Sequence, residues 1–327
     1  MSGAWYHPPV VIVRFWGTRG SLPVAMTSAA VKRKLVAALV KAVGKPLQTL
    51  PEIEAFVSHE FPDPLTWGGN SSCVELDTGG SEYVLCDMGS GARVFGNRVL
   101  ARPRPPGGHT FHVFMSHVHW DHIMGFPFFV PAYIPGNTVR IYGCHEVLEE
   151  AFRRQSGPPS FPVDFASLGA TIEFVRLEPD TIYDVAGLRV RAMRQHHAGD
   201  SYGYRFEHQG KSVVYSTDSE HKLEDAVLAE RFVDFFRDAD LVIFDAMYSL
   251  VDAITVKADW GHSSNVVGVE LCQRASARHL CMYHHEPVHE DEQLAAVLRD
   301  TRRFEEITRT GAPLQVSSAY DGLEVVL

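Results

Sequence analysis

Ser116-His117-Val118-His119-Trp120-Asp121-His122 is the stretch from which this chain is best read. Three histidines and an aspartate fall within six residues, directly behind the apolar run Thr110-Phe111-His112-Val113-Phe114-Met115. The length of that run and its aromatic and β-branched content predict a buried strand. The polar cluster therefore sits at a strand's C-terminal end, where open α/β sheets present loops to ligands. Imidazoles suit zinc and similar borderline ions, and carboxylates add charge and lone pairs. His117 and His119 alternate by two and can point at one ion. Asp121 and His122, past the turn, can reach a second. The bland reading, a polar turn that happens to be rich in histidine, fits so dense a pattern poorly.

Composition narrows the setting. The chain has 327 residues, 45% apolar and 21% charged, an ordinary globular balance. A length that would allow two domains is also common for one large sandwich, and residues 1–327 are read as a single unit. The net charge of −10 lacks the basic footprint of a protein that grips long nucleic acid. No apolar run approaches a membrane span and the N-terminus lacks the pattern of a secretory signal, so neither membrane nor export is expected. Five scattered cysteines, Cys73, Cys86, Cys144, Cys272 and Cys281, without a Cys-x-x-Cys pair, suggest reduced thiols and a cytoplasmic protein.

Outward from the cluster, Pro9 to Trp16 predicts a first strand, and Gly17-Thr18-Arg19-Gly20-Ser21 a tight turn. Thr27 or Ser28 can cap a helix whose residues Val31, Leu35, Leu39 and Val43 form one apolar stripe, with Val36 and Val40 beside it. Gly44 suits its end, and Pro51 opens a second, shorter helix through Phe56. Residues 27–61 thus read as a helical insertion after the first strand. Its first helix is basic, with Lys32, Arg33, Lys34, Lys41 and Lys45, and the expectation is a solvated face over a packing stripe. A lid over the site or a homodimer contact are the functional alternatives. Residues 72–76 and 83–87 predict a hairpin through Thr78-Gly79-Gly80, and Gly125 to Phe129 an apolar floor beneath the site. Further strands are expected at 139–143, 171–175, 188–193, 203–207 and 212–215, with a helix at 146–154. His145 reads as a core or surface histidine. Strands followed by helices, twice over, suit two stacked sheets with helices outside.

His117-Val118-His119-Trp120-Asp121-His122 resembles the signature of the metallo-β-lactamase fold hydrolases, and further likenesses run from Phe15 to about Asp291. The resemblance implies an α/β four-layer αβ/βα sandwich. Asp87-Met88-Gly89-Ser90-Gly91 resembles the superfamily's Asp-x-Gly turn, which would make Asp87 an orienting residue and not a ligand. Gln195-His196-His197 through Gly203-Tyr204-Arg205 resembles a segment of the phosphodiesterase branch; matching backward from Gly203 assigns the ligand to His197 and leaves His196 as its neighbour, although Ala198 and Asp200 depart from the pattern. Tyr215-Ser216-Thr217-Asp218 resembles the stretch that carries a bridging aspartate, and Leu280 to Pro287 one in which the first of two histidines, here His284, binds metal. The implied set is His117, His119 and His197 for one ion, Asp121, His122 and His284 for the other, and Asp218 shared.

The same resemblance implies two divalent ions, zinc foremost with manganese or iron as alternatives, activating a metal-bridging hydroxide. Phosphodiesters, lactones and thioesters are all chemically open to such a centre. Asp259-Trp260-Gly261-His262-Ser263-Ser264 resembles the Gly-His-Ser-Thr element of ribonuclease Z and its cyclic-phosphate relatives, which tilts the expectation to phosphodiesters. There His262 would protonate a leaving alkoxide, with Asp245 orienting its ring, so Asp121, Asp245 and His262 are the candidate catalytic residues. Helix capping by Ser263 or Ser264 beside His262 is the structural alternative. Tyr204, Arg205 and His285 are candidate substrate contacts, since arginine binds anionic oxygens bidentately. A strand residue such as Arg205 could equally make a structural ion pair. The expected substrate is a small phosphodiester such as a cyclic nucleotide. Lactonase or thioesterase chemistry, a ribonuclease Z-like nuclease and a metal-holding partner-binding module are the alternatives.

Overall fold

The computed structural model describes residues 11–61, 64–221, 225–248 and 261–327. Pro9 and Val10 of the expected first strand, and Asp259 and Trp260 of the segment before His262, lie outside them. The first sheet is built from β1 (Ile12–Gly17), β2 (Cys73–Asp77), β3 (Tyr83–Cys86), β4 (Thr110–Phe114), β5 (Thr138–Gly143) and β6 (Thr171–Arg176). The second holds β7 (Ile182–Val185), β8 (Leu188–Gln195), β9 (Ser201–His208), β10 (Lys211–Ser216), β11 (Leu241–Asp245), β12 (His279–Tyr283) and β13 (Gln315–Ser318). A last strand, β14 (Glu324–Val326), returns to the first sheet and pairs antiparallel with β1, giving the orders β14-β1-β2-β3-β4-β5-β6 and β13-β12-β11-β10-β9-β8-β7. β3 to β6 run parallel, as do β10 to β13.

Alternation along the central strands assembles the layers. In β4, Phe114 turns toward the second sheet and meets Tyr204 and Phe206, while Phe111 and Val113 turn outward onto the helix Gly91–Leu100 and the segment around Phe126 and Phe129. In β11 and β12, Ile243, Cys281 and Tyr283 face inward, and Val242, Phe244, Leu280 and Met282 face the helices Ala226–Phe236 and Asn265–Arg274. Strands buried on both faces must be apolar nearly throughout, which is why these segments show no polar alternation. The result is the expected α/β sandwich, helices outside two stacked sheets. No helix of the described residues is long and apolar enough to cross a membrane.

The insertion departs from expectation. Its helices, Ser28–Ala42 and Leu50–Glu60, begin at Thr27 and at a Thr49–Glu52 capping box, yet neither buries a single residue. The first helix turns its small-residue side inward, with Ala30, Lys34, Ala38 and Ala42 half-buried, and presents Val31, Leu35, Val36, Leu39, Val40 and Val43 to solvent. The charges fold back on the chain instead: Lys34 Nζ lies 2.9 Å from Asp291, Arg33 pairs with Glu290, and Lys41 and Lys45 with Glu60. The stripe is therefore not a packing stripe, because the small residues give the closer approach to the rest of the fold.

His279, the first residue of β12, is buried and hydrogen-bonds Ser317 Oγ at 2.6 Å. Burial, with Arg302 nearby, pushes its pKa down to about 4. The unfolded chain takes up this proton below about 6.5, the folded chain only near 4, so stability falls as pH drops through that window. Comparing urea unfolding at pH 7.5 and pH 5, wild type should lose about 2 kcal/mol more than His279→Gln. Equal losses would contradict a neutral buried His279.

Candidate metal centre

The seven candidate metal ligands and Asp245 all stand at or just past the C-terminal end of a strand. His117, His119, Asp121 and His122 follow β4; His197 follows β8, Asp218 follows β10, Asp245 ends β11 and His284 follows β12. β8, β10, β11 and β12 all point the same way, since β8 and β10 are both antiparallel to β9 and β10, β11 and β12 are parallel. Their ends therefore open at one edge of the second sheet, where the loop after β4 meets them.

Two donor groups form there. His117, His119 and His197 make one and Asp121, His122, Asp218 and His284 the other, each with ligand atoms within 4.8 Å of one another. Asp218 lies between them. Its Oδ2 is 3.6 Å from His117 Nε2 and 3.8 Å from His197 Nε2. Its Oδ1 is 3.2 Å from both His122 Nε2 and His284 Nε2, and Asp121 Oδ2 is 3.2 Å from the same two nitrogens. His117 Nε2 and His122 Nε2 are buried without a hydrogen-bond partner. Buried polar atoms are rarely left so. Borderline nitrogen donors with hard carboxylates, and orphaned lone pairs aimed at a shared oxygen pair, fit two divalent cations.

A surrounding layer fixes which nitrogen faces inward. His122 Nδ1 donates to Asp87 Oδ2 at 2.7 Å, and His197 Nδ1 to the Gly261 carbonyl at 2.8 Å. His117 Nδ1 contacts Ser116 Oγ at 3.0 Å. Asp87 also accepts from Ser116 N, Ser116 Oγ and Tyr215 OH, so one carboxylate joins β3, β4 and β10 behind the cluster. Two glycines belong to the site although the sequence did not mark them as such. A Cβ on Gly20 would lie 2.6 Å from the His284 ring, and one on Gly261 2.4 Å from His197 Nδ1. The turn after β1, weak evidence on its own, also supplies Ser21 N, which donates to Asp121 Oδ2 at 2.8 Å.

Electrostatics separate the two groups. Burial pushes His117, His119 and His197 down, so their lone pairs are available at neutral pH. Burial opposes ionisation of Asp121 and Asp218, but the surrounding histidines override it and hold both well below the carboxylate range. His122 goes the other way: burial is outweighed by Asp121, Asp218 and Asp87, which raise it well above the ordinary imidazole value. His262 Nδ1 donates to Asp245 Oδ2 at 2.8 Å. Burial would lower His262, yet Asp245, with Asp218 and Asp121 behind it, brings it to about 9. The His262 ring stands 5.1 Å from the rings of His197 and His284. Ser264 caps the following helix, as the structural alternative had it, and His262 nevertheless stands beside the cluster.

Three expected substrate contacts lie elsewhere. Tyr204 is fully buried between the sheets and donates its hydroxyl to the Met115 carbonyl at 2.8 Å. Arg205, its neighbour on β9, points to the opposite face and binds Glu207 and the carbonyls of Phe235 and Arg237. The alternation of a strand sends the pair to opposite sides and neither to the cluster. His285 is buried and donates Nε2–H to the Ala319 carbonyl at 2.7 Å, with burial pushing its pKa down to about 3. His196 is exposed while His197 joins the cluster, and His145 contacts the Asp200 carbonyl.

Replacing Asp87 by Ala frees the His122 ring and leaves three donors unpaired, and should lower zinc affinity about 10–100-fold in a chelator competition. Unchanged affinity would show that Asp87 does not position the donor set.

The family model described as "Beta-lactamase superfamily domain" matches residues 82–285, more than half of the chain. No curated protein matches it by sequence. Among solved structures, the metallo-β-lactamase fold protein YhfI from Bacillus subtilis superposes with a TM-score of 0.63 at 17% identity, covering 98% of this chain and 100% of that one. A diphosphatase from the PhnP family gives 0.59 at 18% identity, covering 96% and 97%, and human tRNase Z, short form, 0.58 at 18%, covering 96% and 98%. At such identities the likeness is one of fold. With the family match, the paired sheets and the histidine-aspartate cluster at their strand ends, this chain belongs to the β-lactamase superfamily and has the metallo-β-lactamase fold.

Proposed function

We propose that this protein is a dinuclear-metal hydrolase that cleaves phosphodiester bonds in small substrates such as cyclic nucleotides. The observation that carries the reading is the Asp218 carboxylate, with one oxygen toward His117 and His197 and the other toward His122 and His284. Two divalent ions in those donor sets would supply Lewis acidity, polarising a substrate oxygen and making water a nucleophile near neutral pH. Zinc suits the nitrogen-rich set, with manganese or iron as alternatives.

The choice of phosphodiesters rests on His262. A departing sugar alkoxide has a pKa far above 7 and needs a proton as its bond breaks. His262, held at about 9 by Asp245, keeps such a proton at neutral pH, and it stands within reach of the cluster formed by His197 and Asp218. Asp245 fixes the ring through Nδ1, which leaves Nε2–H to give. A diphosphatase and a tRNase Z share the fold, in keeping with phosphate-ester chemistry. The five cysteines, all buried and unpaired, support a reducing, cytoplasmic setting.

The test is turnover by the zinc-loaded protein across cyclic nucleotides, bis(p-nitrophenyl) phosphate and a panel of lactones. Phosphodiesters should be hydrolysed and Asp218→Asn should lose both activity and bound metal. His262→Ala should cost about 10²–10⁴-fold on esters with alkyl leaving groups and much less on p-nitrophenyl esters, whose leaving group needs no proton. Equal loss on both removes the proton-donor role, and turnover of lactones alone overturns the phosphodiester reading.

A further inference from the structure

The metal loop has two sides. His117, His119, Asp121 and His122 turn to the cluster, whereas Val118 and Trp120 line a cavity of about 550 Å³ completed by Phe128, Phe161, Gln155 and Arg154 among others. That volume is within the roughly 300–1,000 Å³ of small-molecule sites. Of the seven cluster residues, His119 is the exposed one; the other six are buried. The cluster therefore meets solvent at His119, and the next residue, one Cα step of about 3.8 Å away, is Trp120.

Trp120 is 79% exposed and Phe128 is 54% exposed. A lone exposed aromatic is unremarkable. Here two of them wall one cavity, and Phe161 backs Phe128 edge-to-face at 5.5 Å between centroids. Among the polar groups of the lining, Arg154 pairs with Glu150, the Gln155 amide N–H donates to the Ile123 carbonyl at 3.0 Å, and Ser160 adds a hydroxyl. The rest of the lining, Val118, Trp120, Ile123, Met124, Phe128 and Phe161 among it, offers apolar and flat aromatic faces. Such a surface recognises a ring by stacking, and tolerates different rings because each has a π-face.

We propose that this cavity is a subsite for a planar aromatic or heteroaromatic group of the substrate, stacked on Trp120 and the Phe128–Phe161 pair while the phosphate lies at the cluster. The inference rests on the phosphodiester reading and adds to it the class of organic group. It makes Trp120 a specificity-determining residue that favours aryl or base-bearing esters over alkyl ones and discriminates little among rings.

Phenyl p-nitrophenyl phosphate and methyl p-nitrophenyl phosphate share a leaving group and differ in the group retained. The zinc-loaded protein should favour the phenyl ester about tenfold in kcat/KM, chiefly through KM, and Trp120→Ala or Phe128→Ala should each erase most of that ratio while Trp120→Phe restores it. Zinc content of each variant separates lost stacking from a damaged loop. Calorimetric titration with phenylphosphonate and methylphosphonate reads the same preference without turnover. A phenyl preference in binding, lost in Trp120→Ala, with neither ester hydrolysed, would uphold the subsite and overturn the phosphodiester reading. No phenyl preference in wild type by either method, or one unchanged in both alanine variants, overturns the subsite.

Discussion

A buried carboxylate that is shared by two sets of donors is the constraint on which this structure depends. Asp218 is 2% exposed, and an ionised group so placed is costly unless opposite charge or hydrogen bonds surround it. Thr217 Oγ1 donates to it at 2.7 Å, and His117, His122, His197 and His284 ring the rest. Burial disfavours a charged His122, yet Asp121, Asp218 and Asp87 raise it well above the ordinary imidazole value, a sign of the same need for positive charge at the centre. Cations at the two donor sets would meet that need more completely than one imidazolium.

Holding seven side chains in this geometry requires rigid supports, and the sandwich provides them. Parallel strands of the second sheet end at one edge, and β4 of the first sheet brings its loop across. Asp87 ties the two halves together, reaching Ser116 and His122 on one side and Tyr215 on the other. Gly20 and Gly261 allow backbone to pass where a methyl group would collide with His284 or His197. Asp245 then anchors the His262 ring through Nδ1, and Trp120 marks the outer edge of the loop after β4.

His117 to His122 were legible in sequence because they stand directly behind the apolar run of β4, whereas His197, Asp218 and His284 were assigned by their resemblance to metallo-β-lactamase fold hydrolases; the structure brings all of these side chains together. What adjacency in sequence does not reveal is the side a residue takes. Tyr204 and Arg205 follow one another, and the strand's alternation sends one into the core and the other to the outer face of the sheet. In the insertion, helical periodicity showed that Val31, Leu35, Leu39 and Val43 share a face. It did not show that Ala30, Ala38 and Ala42 pack closer and turn that face to water. Close backbone approaches such as those at Gly20 and Gly261 are properties of tertiary structure, and the pairing of β14 with β1 joins residues more than 300 apart, beyond any local signal.

The most direct test of a shared carboxylate is anomalous diffraction at the zinc absorption edge from crystals of the zinc-loaded protein. Two peaks about 3.5–4 Å apart, one beside each Asp218 oxygen, are the predicted result. A single peak, or none near Asp218, would contradict the dinuclear centre and with it the hydrolase proposed above.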